Sequence, residues 1–255
     1  MDSKIDAIFF DIGNTLRMLT KNESHQSAAR KRIVEILGLD QNPEDFCQKV
    51  DARYKIYRKW AFENLKEAPE AEMWKRWLAP EVSTEILSAN AVELTYQYRQ
   101  SMGLRVVVPN GKEVVMELDK RGYILGLISN VITSREIPDW MEADGFSQYF
   151  KSVVLSSVIG IRKPDPAIYL EAAYRAGVDP QYCVYVGDNL KRDVTGTRSA
   201  GFGMVIILLD PDEKIDDDLT EENNPDVIIY DFRELLNIFP LRPRVNIQNP
   251  RRLSL

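Results

Sequence analysis

Several short apolar runs in this sequence lead into polar residues that could do chemistry together. AIFF (7–10) stops at Asp11, YILGLI (123–128) at Ser129 and Asn130, and CVYV (183–186) at Gly187 and Asp188. Lys163 lies in GIRKPDPAIYL, in the loop that follows the run SVVL (152–155). Two carboxylates such as Asp11 and Asp188 bind a hard divalent cation, while a hydroxyl, backbone amides and a lysine hold phosphate oxygens. A carboxylate beside such a cation can also attack phosphorus and form an aspartyl phosphate. Each fragment alone has a plain structural use. Asp-x-Gly-Asn-Thr makes a strand-end turn, Ser129-Asn130 suits a helix cap, and Asp165 with Pro166 suits a helix start. Their order and spacing together point to a site. The single histidine, His25 in KNESHQSAAR, reads as a surface residue, so catalysis here runs on carboxylates, lysine, hydroxyls and metal.

The elements that must position these groups are short β-branched and aromatic runs: the four above, MVIIL (204–208) and DVIIY (226–230). From residue 112 onward they alternate with helix-like stretches such as KEVVMELDKRG and AIYLEAAYRAG. Continuous apolar strands separated by amphipathic helices predict a doubly wound, mostly parallel α/β sheet covered on both faces. Such a sheet binds ligands beyond the carboxyl ends of its strands, so the polar endings converge on one edge. Residues 17–103 break the pattern. They show no convincing strand and read as helices, in SAARKRIVEILGL, EDFCQKVDARYKIYRKWAFENL, EAEMWKRWL and STEILSANAVELTYQYRQ. The expected organisation is a core of residues 1–16 and 104–240, an inserted all-helical cap over 17–103, and a basic tail over 241–255. Residues 210–225 read as an acidic, solvated loop that could pair with that tail.

Composition bounds the function. The 255 residues carry a formal net charge of -6, which argues against a general nucleic-acid binder that must neutralise phosphates with a basic face. No apolar run approaches the roughly 18 residues of a spanning helix. The start MDSKIDAIFF lacks the pattern of a signal peptide, and Cys47 and Cys183 read as buried thiols in a reducing compartment, so a cytoplasmic protein without membrane or nucleic-acid partners is expected.

The combination of FFDIGNTL, LGLISN, GIRKPDPAIY and VGDNLKRDVTGTRSAG resembles the haloacid-dehalogenase-like superfamily of hydrolases, mostly magnesium-dependent phosphatases. The resemblance covers about residues 4–16 and 105–237, and the insert falls where that family carries a helical cap. It implies a Rossmann-like core, Mg2+ as cofactor and a small phosphorylated substrate. Residue by residue, it makes Asp11 the nucleophile and Ser129 the phosphate-binding hydroxyl, with Asn14, Thr15 and Asn130 as further phosphate contacts. Lys163 steadies the charge of nucleophile and phosphate. Asp188 is the expected metal ligand, joined by Asp11 and the backbone carbonyl of Gly13, and Asp193 is either a second metal-site carboxylate or a supporting one.

Gly13 is also where the sequence departs from the family. Phosphatases of this kind carry a second aspartate there, which protonates the leaving oxygen and then activates water. Glycine keeps the carbonyl and loses the proton carrier, an effect of about 10²–10⁴-fold. The leading expectation is therefore a metal-dependent phosphohydrolase that is weakened, or rescued by a cap carboxylate or a water, and that prefers good leaving groups. A low-turnover phosphate-binding or regulatory protein is the second reading. A dehalogenase, or a phosphonate hydrolase using Lys55 or Lys59, is the third. Substrate choice is expected from the cap, where Arg53, Tyr54, Tyr57, Arg58, Trp60, Trp74, Lys75, Arg76 and Trp77 either pack the helices or face the crevice. Arg17 either reaches substrate or lies in solvent.

Overall fold

The computed structural model describes residues 5–212 and 224–242. Its strands are β1 (Ala7–Phe10), β2 (Arg17–Thr20), β3 (Leu104–Val107), β4 (Ile124–Ser129), β5 (Phe150–Leu155), β6 (Cys183–Gly187), β7 (Met204–Leu208) and β8 (Val227–Ile229). Six of them form one parallel sheet in the order β5-β4-β1-β6-β7-β8. β1 is central, with Phe10 beside Leu127 of β4 on one flank and Val186 of β6 on the other. The helices are α1 (Glu23–Leu37), α2 (Pro43–Asn64), α3 (Glu70–Met73), α4 (Thr84–Ser101), α5 (Gly111–Lys120), α6 (Glu136–Ala143), α7 (Ser156–Ile159), α8 (Pro166–Ala176), α9 (Leu190–Ser199) and α10 (Leu235–Ile238).

The continuous apolar runs follow from burial on both faces. Ile8 and Phe10 point into a cluster with Val114, Leu118, Trp140 and Phe232, from the α5, α6 and α10 side. Ala7 and Phe9 point the other way, against Ile168, Tyr169 and Ala172 of α8. Every side chain of β1 is therefore removed from water, and no polar alternation is left to read. The α8 and α9 starts follow the sequence signals. Asp165 accepts from the Ala167 amide at 2.9 Å with Pro166 in the first helical position, and Asn189 accepts from the Arg192 amide at 2.7 Å.

Residues 17–103 differ from expectation in one respect. Arg17–Thr20 is a strand, paired antiparallel with β3 as a two-stranded ribbon at the base of the insert. Each strand has four residues, Met18 and Leu19 are exposed, and the partner lies across the whole insert, so neither alternation nor a hairpin turn marked it. Between the two strands, α1 to α4 bury their own apolar cluster, including Ile33, Phe46, Tyr57, Trp74, Leu87 and Tyr98. After α3 the chain widens into a π-turn over Trp74–Leu78. Among the described residues no helix is long and apolar enough to cross a membrane. Residues 213–223 and 243–255, and with them the pairing expected between acidic loop and basic tail, lie outside the described residues.

Candidate active site

The carboxyl edge of the sheet brings Asp11, Ser129, Lys163, Asp188 and Asp193 together. Asp11 follows β1 directly, and its amide donates to the Val186 carbonyl at 2.8 Å, which fixes the residue at the strand end. Its Oδ1 accepts from Ser129 Oγ at 2.9 Å and from the Ile12 amide at 2.7 Å. Its Oδ2 faces two cations, Lys163 Nζ at 2.8 Å and Arg192 Nη2 at 2.9 Å.

Lys163 is fully buried and has a partner for each proton. Besides Asp11 it lies 3.3 Å from Asp193 Oδ1 and donates to the Tyr185 hydroxyl, which itself donates to the Ile128 carbonyl at 3.1 Å. Asn130 holds the lysine's backbone from both sides. Its Oδ1 accepts from the Lys163 amide at 2.8 Å, and its Nδ2 donates to the Lys163 carbonyl at 3.0 Å. Asn130 thus positions the lysine loop. Asn14, in the left-handed region with φ 54°, donates to Asp188 Oδ2 at 3.1 Å. Thr15 is fully buried, and its hydroxyl has no hydrogen-bond partner among the described residues.

Asp11, Asp188 and Asp193 each offer an oxygen within 4.8 Å of the others. Three carboxylates are the hard oxygen donors that a small divalent cation takes. Gly187 makes the approach feasible, because a Cβ there would overlap the Asp193 carboxylate. Crowding of like charge shows in the acids. Burial and the neighbouring Asp11 push the Asp188 carboxyl up to about 6. Burial also opposes ionisation of Asp193, but Lys163 and Arg192 outweigh it and hold that carboxyl below the usual range. Beside the carboxylates opens a cleft of about 650 Å³, lined by Asn14, Met18, Asp188, Asn189, Asp210 and Tyr230.

A model of the haloacid dehalogenase-like hydrolase family matches residues 5–201. The chain belongs to this family of hydrolases. Glyceraldehyde 3-phosphate phosphatase of Methanopyrus kandleri is 28% identical over 92% of this chain and 97% of its own length. Phosphoserine phosphatase of Thermus thermophilus is 27% identical over 80% of this chain and 90% of its own. Among solved structures, 2-haloacid dehalogenase from Pseudomonas syringae pv. tomato superposes with a TM-score of 0.66 at 22% identity, over 92% and 97% of the two chains. A phosphatase of the family from Thermococcus onnurineus gives 0.56 at 23%, over 93% and 99%. These two likenesses are of fold.

Other residues of this hydrolase stand apart from the Asp11 cluster. Arg17 is buried, neither in solvent nor among the groups around Asp11. Its Nη1 donates to Glu136 Oε1 at 3.1 Å, and its guanidinium lies 4.8 Å from the centre of the Trp140 ring. The insert's aromatics pack on one another: Tyr57 and Trp74 are fully buried, and the Trp60 and Trp77 rings meet tilted, 4.8 Å between centroids, with Arg76 over Trp77. Arg53 binds Glu81, and the exposed Lys59 lies near Glu63. His25 is half-buried and bonds the Gln100 side chain, and both cysteines are buried and free. Two buried acids of the insert, Glu67 and Glu70, are engaged outside the Asp11 cluster. Glu67 accepts from Tyr57, Ser156 and Arg162, and Glu70 from the Ser134 amide and hydroxyl.

Arg192 and Tyr185 are the site residues that sequence reasoning missed. Arg192 is four residues after Asp188 on a helix that begins at Leu190, so the i,i+4 spacing was a usable signal for that one contact. Tyr185 was hidden inside an apolar strand.

Proposed function

We propose that this hydrolase is a magnesium-dependent phosphatase of a small phosphorylated metabolite, acting in the cytoplasm through an aspartyl phosphate on Asp11. The observation that carries the proposal is the environment of Asp11. One carboxylate oxygen is oriented by Ser129 and the Ile12 amide, while the other faces Lys163 and a cluster of two further carboxylates. The phosphatase names of the relatives support the substrate class. Closure of the insert, residues 17–103, would exclude water from the site.

Asp11 would attack phosphorus, forming an O–P bond as the ester O–P bond breaks. Lys163 would hold the charge of nucleophile and phosphoryl oxygens, and Ser129 would keep the carboxylate aimed. Asp11, Asp188, Asp193 and the Gly13 carbonyl would hold Mg2+, which supplies neutralisation of the transferred group's charge when bound. The leaving oxygen must take its proton from water, because Gly13 offers none. Water then attacks phosphorus as the Asp11 O–P bond breaks, its proton passing to solvent, which releases inorganic phosphate and regenerates the Asp11 carboxylate. Phosphate esters with leaving groups of rising pKa, assayed with and without Mg2+, should show rates that fall steeply along the series and vanish with chelator. A flat series overturns the missing-acid mechanism, and turnover untouched by chelator overturns the metal requirement.

A second reading is a protein that holds its phosphoryl group for long times. It is favoured by the engagement of Glu67 and Glu70 elsewhere, since neither bonds to Asp11. Treatment with an acyl phosphate followed by intact-mass measurement would then show a persistent adduct that an Asp11→Asn variant lacks.

A further inference from the structure

The three carboxylates that would hold a divalent cation already share a cation that belongs to the chain. Arg192 approaches Asp193 with two nitrogens, Nε 2.8 Å from Oδ1 and Nη2 2.9 Å from Oδ2. The same Nη2 reaches Asp11 Oδ2 at 2.9 Å and Asp188 Oδ1 at 3.0 Å. A bland account would make this a helix-surface pair of Arg192 with Asp188, four residues away. That account fails on Asp11, which comes from another element 181 positions earlier and accepts from the same nitrogen.

We propose that Arg192 is the protein's own competitor for the divalent cation: its guanidinium occupies the carboxylate cluster at rest, and an ion loads only when that side chain swings out. The inference rests on the metal-site reading of Asp11, Asp188 and Asp193.

Geometry and charge both support exclusive occupancy. Each of the three carboxylates offers an oxygen within 4.8 Å of the others, a space that one small cation fills. Three carboxylates face Lys163 and Arg192, so the resting cluster is within one charge of neutrality. Adding a dication without moving the arginine would press three cationic centres together in a largely buried site. The arginine can leave without the helix leaving. Its backbone is pinned by the Asn189 cap, while its side chain keeps 21% exposure and so has a route to solvent. Lys163, with no exposure, has none.

The test measures ion binding and requires no turnover. Mn2+ is titrated into wild type, Arg192→Ala and Arg192→Gln, and bound ion is read from loss of the free-ion EPR signal. Both variants should bind Mn2+ at least about tenfold more tightly than wild type, the equivalent of one charge-assisted hydrogen bond no longer displaced. Adding Asp188→Asn to Arg192→Ala should abolish the gain. Without ion, Arg192→Ala should melt below wild type, and its melting temperature should climb more steeply with Mn2+. Arg192→Gln keeps the stem and a neutral head, so it carries the comparison if the alanine variant folds poorly. Equal or weaker binding by the folded variants, with wild type binding well, overturns this inference and leaves the metal site standing. No binding by any of these proteins overturns both.

Discussion

On the proposed mechanism, Gly13→Asp should raise turnover. A Cβ built at Gly13 meets no atom within 4 Å, the residue is exposed, and its φ is not among the positive ones. The new side chain therefore enters open space, and the change in folding stability should stay within about 0.5 kcal/mol. A positioned acid and base contributes about 10²–10⁴-fold, which corresponds to about 3–5 kcal/mol of barrier. The gain should be largest for poor leaving groups, because an aryl or acyl phosphate departs with little need of a proton. It should also appear in the second half-reaction as a shorter lifetime of the phosphorylated protein, followed by intact mass after quenching. Gly13→Asn, equal in shape and unable to carry the proton, is the control and should gain little. A Gly13→Asp protein with wild-type melting temperature, unchanged turnover across the ester series and an unchanged adduct lifetime would refute the claim that the absent carboxylate limits the reaction.

Elsewhere, Glu136 gathers Arg17, Arg99 and Arg105 within 3.5 Å, so Glu136→Gln should leave buried guanidiniums unpaired and lower stability by about 3–5 kcal/mol in urea titration. Burial pushes the Glu136 carboxyl up, but Arg99, Arg105 and Arg17 outweigh it and hold the group below its usual range. Its contribution is thus present above the unfolded carboxylate's range and lost as pH falls through the folded value, so the gap between wild type and Glu136→Gln should narrow on acidification. Burial, aided by Asp51 and by Asp179 respectively, pushes the Cys47 and Cys183 thiols up to about 12. Neither should react with a thiol-specific disulfide reagent at pH 8 in the native protein, and both should react after unfolding.

What the sequence made legible follows physical simplicity. β1 and β7 were readable to their ends because two packed faces leave an uninterrupted apolar run, and the polar residues ending β1, β4 and β6 had to meet because parallel strands share a carboxyl edge. β2 was not readable, since a four-residue strand whose partner lies across the whole insert has neither periodicity nor a turn to announce it. Arg17 was misplaced for a related reason. It belongs to that unseen ribbon, and only the fold brings Glu136 and Trp140 around it. The insert's aromatics read equally well as packing or as substrate contacts, and only the fold shows the Trp60 and Trp77 rings packed on each other. Arg192 was legible in part, for spacing gives Asp188 but cannot give Asp11 or the fork on Asp193.

Arg192 sets the charge of the site. With a neutral residue at 192, the three carboxylates would have Lys163 alone as cation, leaving two negative charges that a dication would balance. As the chain stands, three carboxylates face Lys163 and Arg192, and the residual charge is a single negative one. The resting protein therefore needs no ion to hold Asp11, Asp188 and Asp193 together, because its own guanidinium does so through hydrogen bonds of 2.8 to 3.0 Å. On the proposed mechanism this sets an opposed pair of requirements. Asp11 would need a free oxygen to reach phosphorus, yet Ser129 and the Ile12 amide engage Oδ1 while Arg192 shares Oδ2 with Lys163. An arriving phosphate brings its own negative charge and is a competing acceptor for that guanidinium, so substrate and metal would draw on the same side-chain movement rather than on two independent ones.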